Sequence, residues 1–152
     1  MKSRIIKHSW LILLIFLLSG CSIPKIIFID DPLSPREHLE LGVAYEQKGE
    51  YDLAIREYRS AASQLPVAYQ LIGNVYFQKK DYPAAEKEYR EAISQMPDNP
   101  EPLNNLAWLY YSQRIKLDQA EDLARRALEI APNERKAVFQ DTLDQIRKAR
   151  AE

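Results

Sequence analysis

The stretch Leu41–Ala61, LGVAYEQKGEYDLAIREYRSA, decides the fold, because the chain says it again. Residues 72–92 read IGNVYFQKKDYPAAEKEYREA, with glycine, tyrosine and alanine in the same places. Residues 106–127, LAWLYYSQRIKLDQAEDLARRA, repeat the phrase a third time with one residue more. In the first copy Leu41, Gly42 and Tyr45 lead to Ala54, Tyr58, Ala61 and Pro66. In the second, Ile72, Gly73 and Tyr76 lead to Ala85, Tyr89, Ala92 and Pro97; in the third, Leu106, Ala107 and Tyr110 lead to Ala120, Ala124, Ala127 and Pro132. A phrase that recurs in tandem is the signature of stacked units, none of which buries its apolar face alone.

This pattern resembles the tetratricopeptide repeat, a helix-turn-helix unit of about 34 residues. The resemblance covers nearly all of residues 35–132 and implies an all-α solenoid of three repeats with a C-terminal capping helix. The units expected are 35–65, 66–99 and 100–133, closed by 134–152. Two departures stand out. Gly42 and Gly73 are 31 residues apart, because the connection after Pro66 is short, while Gly73 and Ala107 are 34 apart. The third unit carries its extra residue around Ser112–Lys116, so its turn is expected to bulge.

The small residues have a mechanical reading. Gly42 and Gly73 let the second helix of each unit come close, where Ala54 and Ala85 present a methyl group, with Ala107 and Ala120 taking these places in unit three. The tyrosines fill the space between neighbours. Punctuation places the helices: Ser34-Pro35-Arg36-Glu37 combines an N-cap serine, a proline at the first helical position and a capping-box glutamate. Helices are predicted over 35–48, 51–64, 67–80, 83–95, 100–113 and 118–130. Beyond Pro132 a further amphipathic helix presents Val138, Leu143 and Ile146 as its apolar stripe. Its other faces are polar, as the end of a solenoid requires.

Upstream of the repeats, Lys2, Arg4 and Lys7 precede the unbroken apolar run Trp10–Leu18. A membrane-crossing helix needs roughly 20 apolar residues; this run is shorter and reads as a secretory leader over residues 1–20. Its exit, Leu18-Ser19-Gly20-Cys21, resembles the lipobox of bacterial lipoprotein signal peptides. That resemblance implies cleavage before Cys21 and lipid on its thiol, a membrane anchor of two or three acyl chains. Ser22, where an aspartate favours inner-membrane retention, points to the outer membrane, facing the periplasm. Residues 21–34 form the tether, at most ~45 Å long when extended. Its apolar Ile26–Ile29 fits either contact with the bilayer or first helix, or docking to a groove or partner.

Composition removes other functions. The chain has 21 basic and 22 acidic residues; losing Lys2, Arg4 and Lys7 leaves 18 against 22, a formal charge of −4. Nucleic-acid binding needs a basic stripe, so no nucleic-acid partner is expected. After processing, His38 is the sole histidine and Cys21 is blocked, so histidine-based catalytic groups and zinc sites are not expected. Four glycines form no phosphate loop. No catalytic residue, cofactor or metal is assigned. Glu86, Glu88 and Glu91 lie among Lys87 and Arg90 and read as a solvated helix face.

A binding module remains. In the repeat family the concave surface is lined by the first helix of each unit. By that resemblance Leu39, Val43, Glu46 and Gln47 face the groove from unit one, and Gln70, Asn74, Phe77 and Gln78 from unit two. Unit three supplies Asn104, Asn105, Trp108 and Tyr111. Amides hydrogen-bond a peptide backbone in both directions, and the aromatics give rigid apolar contact. Asn74 and Asn105 match the asparagine places of the family's carboxylate-gripping subtype. The basic places carry Gln70 and Leu39, so carboxylate capture is not expected. The reading is a non-catalytic adaptor for protein or peptide partners, assisting assembly of an envelope complex of the pilus-secretin kind. The alternative is a regulator that recruits peptidoglycan-cleaving or processing enzymes.

Overall fold

The computed structural model describes residues 32–152; the leader, Cys21 and Ile26–Ile29 lie outside the described residues. Among the described residues seven α-helices follow in order: α1 Pro35–Gln47, α2 Tyr51–Ala62, α3 Val67–Gln78, α4 Tyr82–Gln95, α5 Pro100–Ser112, α6 Leu117–Ile130 and α7 Lys136–Ala151. A 3₁₀ turn, Asn133–Arg135, links the last two. Each helix packs on the next, the first helices of units two and three touch, and α7 covers α6 and α5. None of the described helices is long and apolar enough to cross a membrane.

The expected helices are present, with ends that differ by one or two residues. Ser34 caps α1 as its sequence requires: its hydroxyl accepts from the Glu37 amide at 3.3 Å and its own amide donates to the Glu37 carboxylate at 2.7 Å. Such a cap contributes about 1 kcal/mol. The first helix of each unit stops in the same way. Gly49, Lys80 and Arg114 take left-handed backbone, with φ of 75°, 61° and 53°. The next amide in each turn, from Glu50, Asp81 or Ile115, donates back to Tyr45, Tyr76 or Tyr110. This closure satisfies carbonyls that a helix end otherwise leaves open. In unit three the extra residue falls immediately afterwards. Lys116 is also left-handed, with φ of 47°. A non-glycine residue there costs roughly 1–2 kcal/mol. The lysine ammonium offsets part of that by lying 2.8 Å from Glu86 and 4.7 Å from the centre of the Tyr110 ring.

Packing at the glycines differs from the expectation in its partner. A β-carbon built on Gly42 meets the Tyr58 ring at 2.5 Å, and one on Gly73 meets the Tyr89 ring at 2.6 Å. The absent side chain therefore makes room for a tyrosine ring, rather than for the methyl groups of Ala54 and Ala85. Those alanines are fully buried elsewhere in the same cores. Unit three confirms the logic by exchanging both members: Ala107 stands at the glycine place and Ala124 at the tyrosine place, both wholly buried. Where the ring is gone, a methyl group fits.

Two further expectations are corrected. On α7 the buried stripe is Phe139, Leu143 and Ile146, while Val138 is 54% exposed. Steps of four and three residues keep 139, 143 and 146 on one face of a 3.6-residue helix; 138 lies a further 100° round. The acidic run on α4 is also no simple solvated face. Glu88 is buried and takes two bonds from the Arg59 guanidinium, at 2.9 and 2.6 Å, locking α2 to α4. Glu86 receives the Tyr110 hydroxyl, Lys116 and Arg90. Burial raises the Glu86 carboxyl, but these donors outweigh it and hold it below the ordinary carboxylate range.

The remaining buried charges follow one rule: each carboxylate taken from water is met by donors. Glu57 pairs with His38 at 2.9 Å and with its neighbour Arg56. The sole histidine of the repeat region is thus part of the α1–α2 contact. Glu121 on α6 is gripped by Arg125 of its own helix and by Arg147 and Arg150 of α7. Arg150 above all holds the Glu121 carboxyl below its usual range.

Candidate functional site

The first helices of the three units bring one face of polar and aromatic residues together. A cleft of about 250 Å³ opens there, lined by Glu46 of α1, Asn74, Phe77 and Gln78 of α3, Tyr89 of α4, and Asn105 and Trp108 of α5. Residues at positions 74, 77 and 78 share one helix face, as do 105 and 108, because three or four residues make about one turn. The repeat spacing then sets these faces side by side. The side chains are tied across the units. Asn105 Nδ2 donates to Asn74 Oδ1 at 3.0 Å, and the Tyr89 hydroxyl donates to the same oxygen at 3.0 Å. Gln78 Nε2 donates to Glu46 at 2.6 Å, and the Tyr58 hydroxyl donates to the other Glu46 oxygen at 2.8 Å.

This network fixes the cleft before any ligand arrives. With Asn74 Oδ1 doubly engaged, the Asn74 amino group and the Asn105 carbonyl offer a guest a donor and an acceptor, the pair that a peptide bond satisfies. Burial pushes the Tyr58 and Tyr89 phenols well above their ordinary range, and the nearby Glu46 carboxylate pushes further. Both tyrosines therefore stay protonated donors at all physiological pH. Trp108 is 38% exposed at the rim, stacked at a tilt on Tyr111 with ring centres 5.1 Å apart. Phe77 leans edge-on against Tyr82 at 5.7 Å. A half-exposed indole held by a second ring is a rigid apolar contact, and ordering it costs a partner little entropy.

Of the residues assigned to the groove from sequence, Asn74, Phe77, Gln78, Asn105 and Trp108 meet in the cleft. Gln70, Asn104 and Tyr111 do not line it. Gln70 lies about a turn before Asn74 and Asn104 about 100° round from Asn105, both with their carbonyl oxygens buried, and Tyr111 stacks on Trp108. From unit one, Glu46 lines the cleft, while Leu39 packs against the core that α2 and α3 build. Sequence reasoning missed Tyr89, which comes from a second helix. Its signal was the tyrosine opposite Gly73, whose ring crosses the unit and delivers its hydroxyl to the groove floor. Among the lining residues Glu46 is the one charged group. The cleft has no cation to grip a carboxylate.

Comparison with known proteins agrees with this architecture. Three family models match: a tetratricopeptide repeat over 27–69, a TPR repeat over 73–113 and a tetratricopeptide repeat over 103–131. No curated protein matches the chain. Solved structures share the fold at low identity. The first TPR of Spaghetti (RPAP3), bound to the HSP90 peptide SRMEEVD, aligns with a TM-score of 0.68 and 24% identity, over 80% of this chain and 97% of that one. The Sgt2 TPR domain from Aspergillus fumigatus gives 0.70 and 16%, over 78% and 80% of the two chains. BtubC (BKLC) from P. vanneervenii gives 0.67 and 20%; the match covers 77% of this chain and 56% of that longer one. The helices, their glycine–tyrosine contacts and these matches together make the chain a tetratricopeptide-repeat solenoid of three units and a closing helix.

Proposed function

We propose that this protein is a lipid-anchored, non-catalytic adaptor that receives an extended peptide segment or helix of a protein partner in the cleft between α3 and α5. The observation that carries the reading is the Tyr89–Asn74–Asn105 network beside exposed Trp108, a preorganised donor–acceptor pair next to a rigid apolar wall. Glu46 gives the guest a preferred chemistry: neutral, or cationic at the end nearest α1. The acidic peptide of the Spaghetti structure is not carried over, since no lining residue neutralises it. Anchoring through Cys21 at the periplasmic face of an outer membrane would tie the start of the repeat array within ~45 Å of the bilayer, in reach of an envelope assembly such as a pilus secretin.

The test is comparative affinity capture from membranes, with wild type beside an Asn74→Ala/Trp108→Ala variant. Partners of the cleft are lost from the variant and kept by wild type; equal recovery of the same proteins refutes the reading. The fluorescence of Trp108 follows binding directly, because the other tryptophan of the chain, Trp10, leaves with the leader on the proposed processing. Anchoring is tested separately by Cys21→Ala. That variant is expected to keep its leader and take up no labelled palmitate, and normal processing would overturn the lipid assignment.

A further inference from the structure

A second hollow lies on another side of the array. A cavity of about 420 Å³, within the 300–1,000 Å³ usual for ligand sites, opens between α4 and α6. Its apolar lining is Ile93, Leu106, Tyr110 and Leu123, and Arg90 and Arg126 flank it. On α5 the cleft residues 105 and 108 and the cavity residues 106 and 110 point roughly 150° apart, at 100° per residue. The two sites therefore face different surroundings.

The chain itself supplies the template for what fits. Arg59 and Arg90 occupy the same place, each following the tyrosine of its unit. Glu88 and Leu123 occupy another, each three residues beyond the repeat alanine, Ala85 or Ala120. In the first seam the Arg59 fork holds the buried Glu88 carboxylate. In the second seam the fork is kept and the carboxylate is replaced by Leu123. Arg90 turns one nitrogen to Glu86 and the Tyr110 hydroxyl, and its side chain stays 57% exposed. Five N–H donors on a guanidinium leave it capacity for a further acceptor. Arg126, the second cation, donates to the Pro97 carbonyl at 3.3 Å. The rim acid, Asp122, is already paired with Arg125 at 2.9 Å.

We infer that this cavity is a docking site for an acidic–apolar segment of a protein partner: an Asp or Glu carboxylate takes the place that Glu88 has in the first seam, on Arg90 with Arg126 alongside, and a flanking aliphatic side chain fills the hollow over Leu123. The site is independent of the cleft between α3 and α5, and its partner is of opposite charge preference. Two sites of unlike chemistry let one adaptor hold two segments at once.

The experiment uses the full chain in detergent and two fluorescein-labelled peptides, Gly-Leu-Glu-Leu-Gly and its Gln counterpart with blocked ends, followed by fluorescence anisotropy. The Glu peptide is expected to bind roughly tenfold or more tightly than the Gln peptide, the usual gain of a charge-assisted pair. Arg90→Gln should erase that difference. Leu123→Glu should block both peptides by rebuilding the first seam's internal pair. Asn74→Ala should leave them unaffected. Arg90 is exposed, so the arginine variant keeps the test intact if Leu123→Glu fails to fold. Equal binding of the two peptides, no binding, or loss of binding in Asn74→Ala with Arg90→Gln unaffected each overturns the proposal. So does self-association without peptide that Arg90→Gln abolishes, which would make the occupant a second copy of the chain.

Discussion

Replacing Gly73 with alanine sets two known quantities against each other. In a helix interior alanine is favoured over glycine by about 0.8–1.0 kcal/mol, so on helix propensity alone the variant gains stability. The structure says otherwise. The new β-carbon lies 2.6 Å from two atoms of the Tyr89 ring, which has to retreat by about 0.8 Å to reach the 3.4 Å where ordinary contact begins. That ring is buried, and its hydroxyl is bonded to Asn74 at 3.0 Å. Overpacking of this kind costs about 1–3 kcal/mol. The net expectation is a loss of up to about 2 kcal/mol, the balance of overpacking against propensity. Urea denaturation measures it, and the same substitution in a Tyr89→Ala background isolates the cause. There the clash is gone, the pair matches Ala107 and Ala124 of unit three, and Gly73→Ala should turn stabilising by about 1 kcal/mol. A gain in the wild-type background, or the same effect in both, refutes the packing argument.

Three further outcomes follow from single residues. Lys80 is exposed and left-handed at the place Gly49 holds in unit one, so Lys80→Gly should stabilise by a few tenths to about 1 kcal/mol; a destabilised melt would contradict the strain. On α7, Phe139→Ala should cost about 3–5 kcal/mol and Val138→Ser less than about 0.5 kcal/mol, and equal costs in denaturant would show that the stripe is misplaced. Acid should loosen the array through Glu57, Glu86 and Glu121, whose folded pKa values lie below the ordinary 4.5. Between the lowered and ordinary values the unfolded chain binds more protons, so stability rises with pH there. Their contribution is complete above about pH 4.5 and fades as pH falls through the folded values; a melting temperature flat from pH 6 to pH 3 would disprove it.

Much of this fold is legible in the sequence because local and long-range signals coincide. Ser34, Pro35 and Glu37 announce a helix start, and tandem recurrence announces the stack; neither needs a structure. The asparagines and aromatics of the cleft were readable for the same reason, since a repeat that fixes the helix also fixes which side chains look outward. What escaped depends on contacts between units. The acid at Glu88 looks solvated along its own helix, and only Arg59, 29 residues earlier, takes it from water. Tyr89 reaches the cleft from the second helix of its unit, whereas the groove was drawn from first helices alone. Gln70 and Asn104 obey the helical spacing yet turn their carbonyls inward. Val138 was misplaced by one residue, which on a helix is 100°.

The grip of α7 on Glu121 has a consequence for how the array comes apart. Three guanidiniums converge on one carboxylate at the very end of the stack, and each of the three is roughly half exposed to solvent. Exposed charges are screened within about 8 Å at physiological ionic strength and within about 3 Å at 1 M, so this clasp loosens in brine while Phe139 and Ile146 beneath it stay apolar and seated. Amide protons of the closing helix should then exchange faster at high salt before those of α3 and α4 change at all. The molecule would fray from its far end inward, like a rope whose last whipping has slipped.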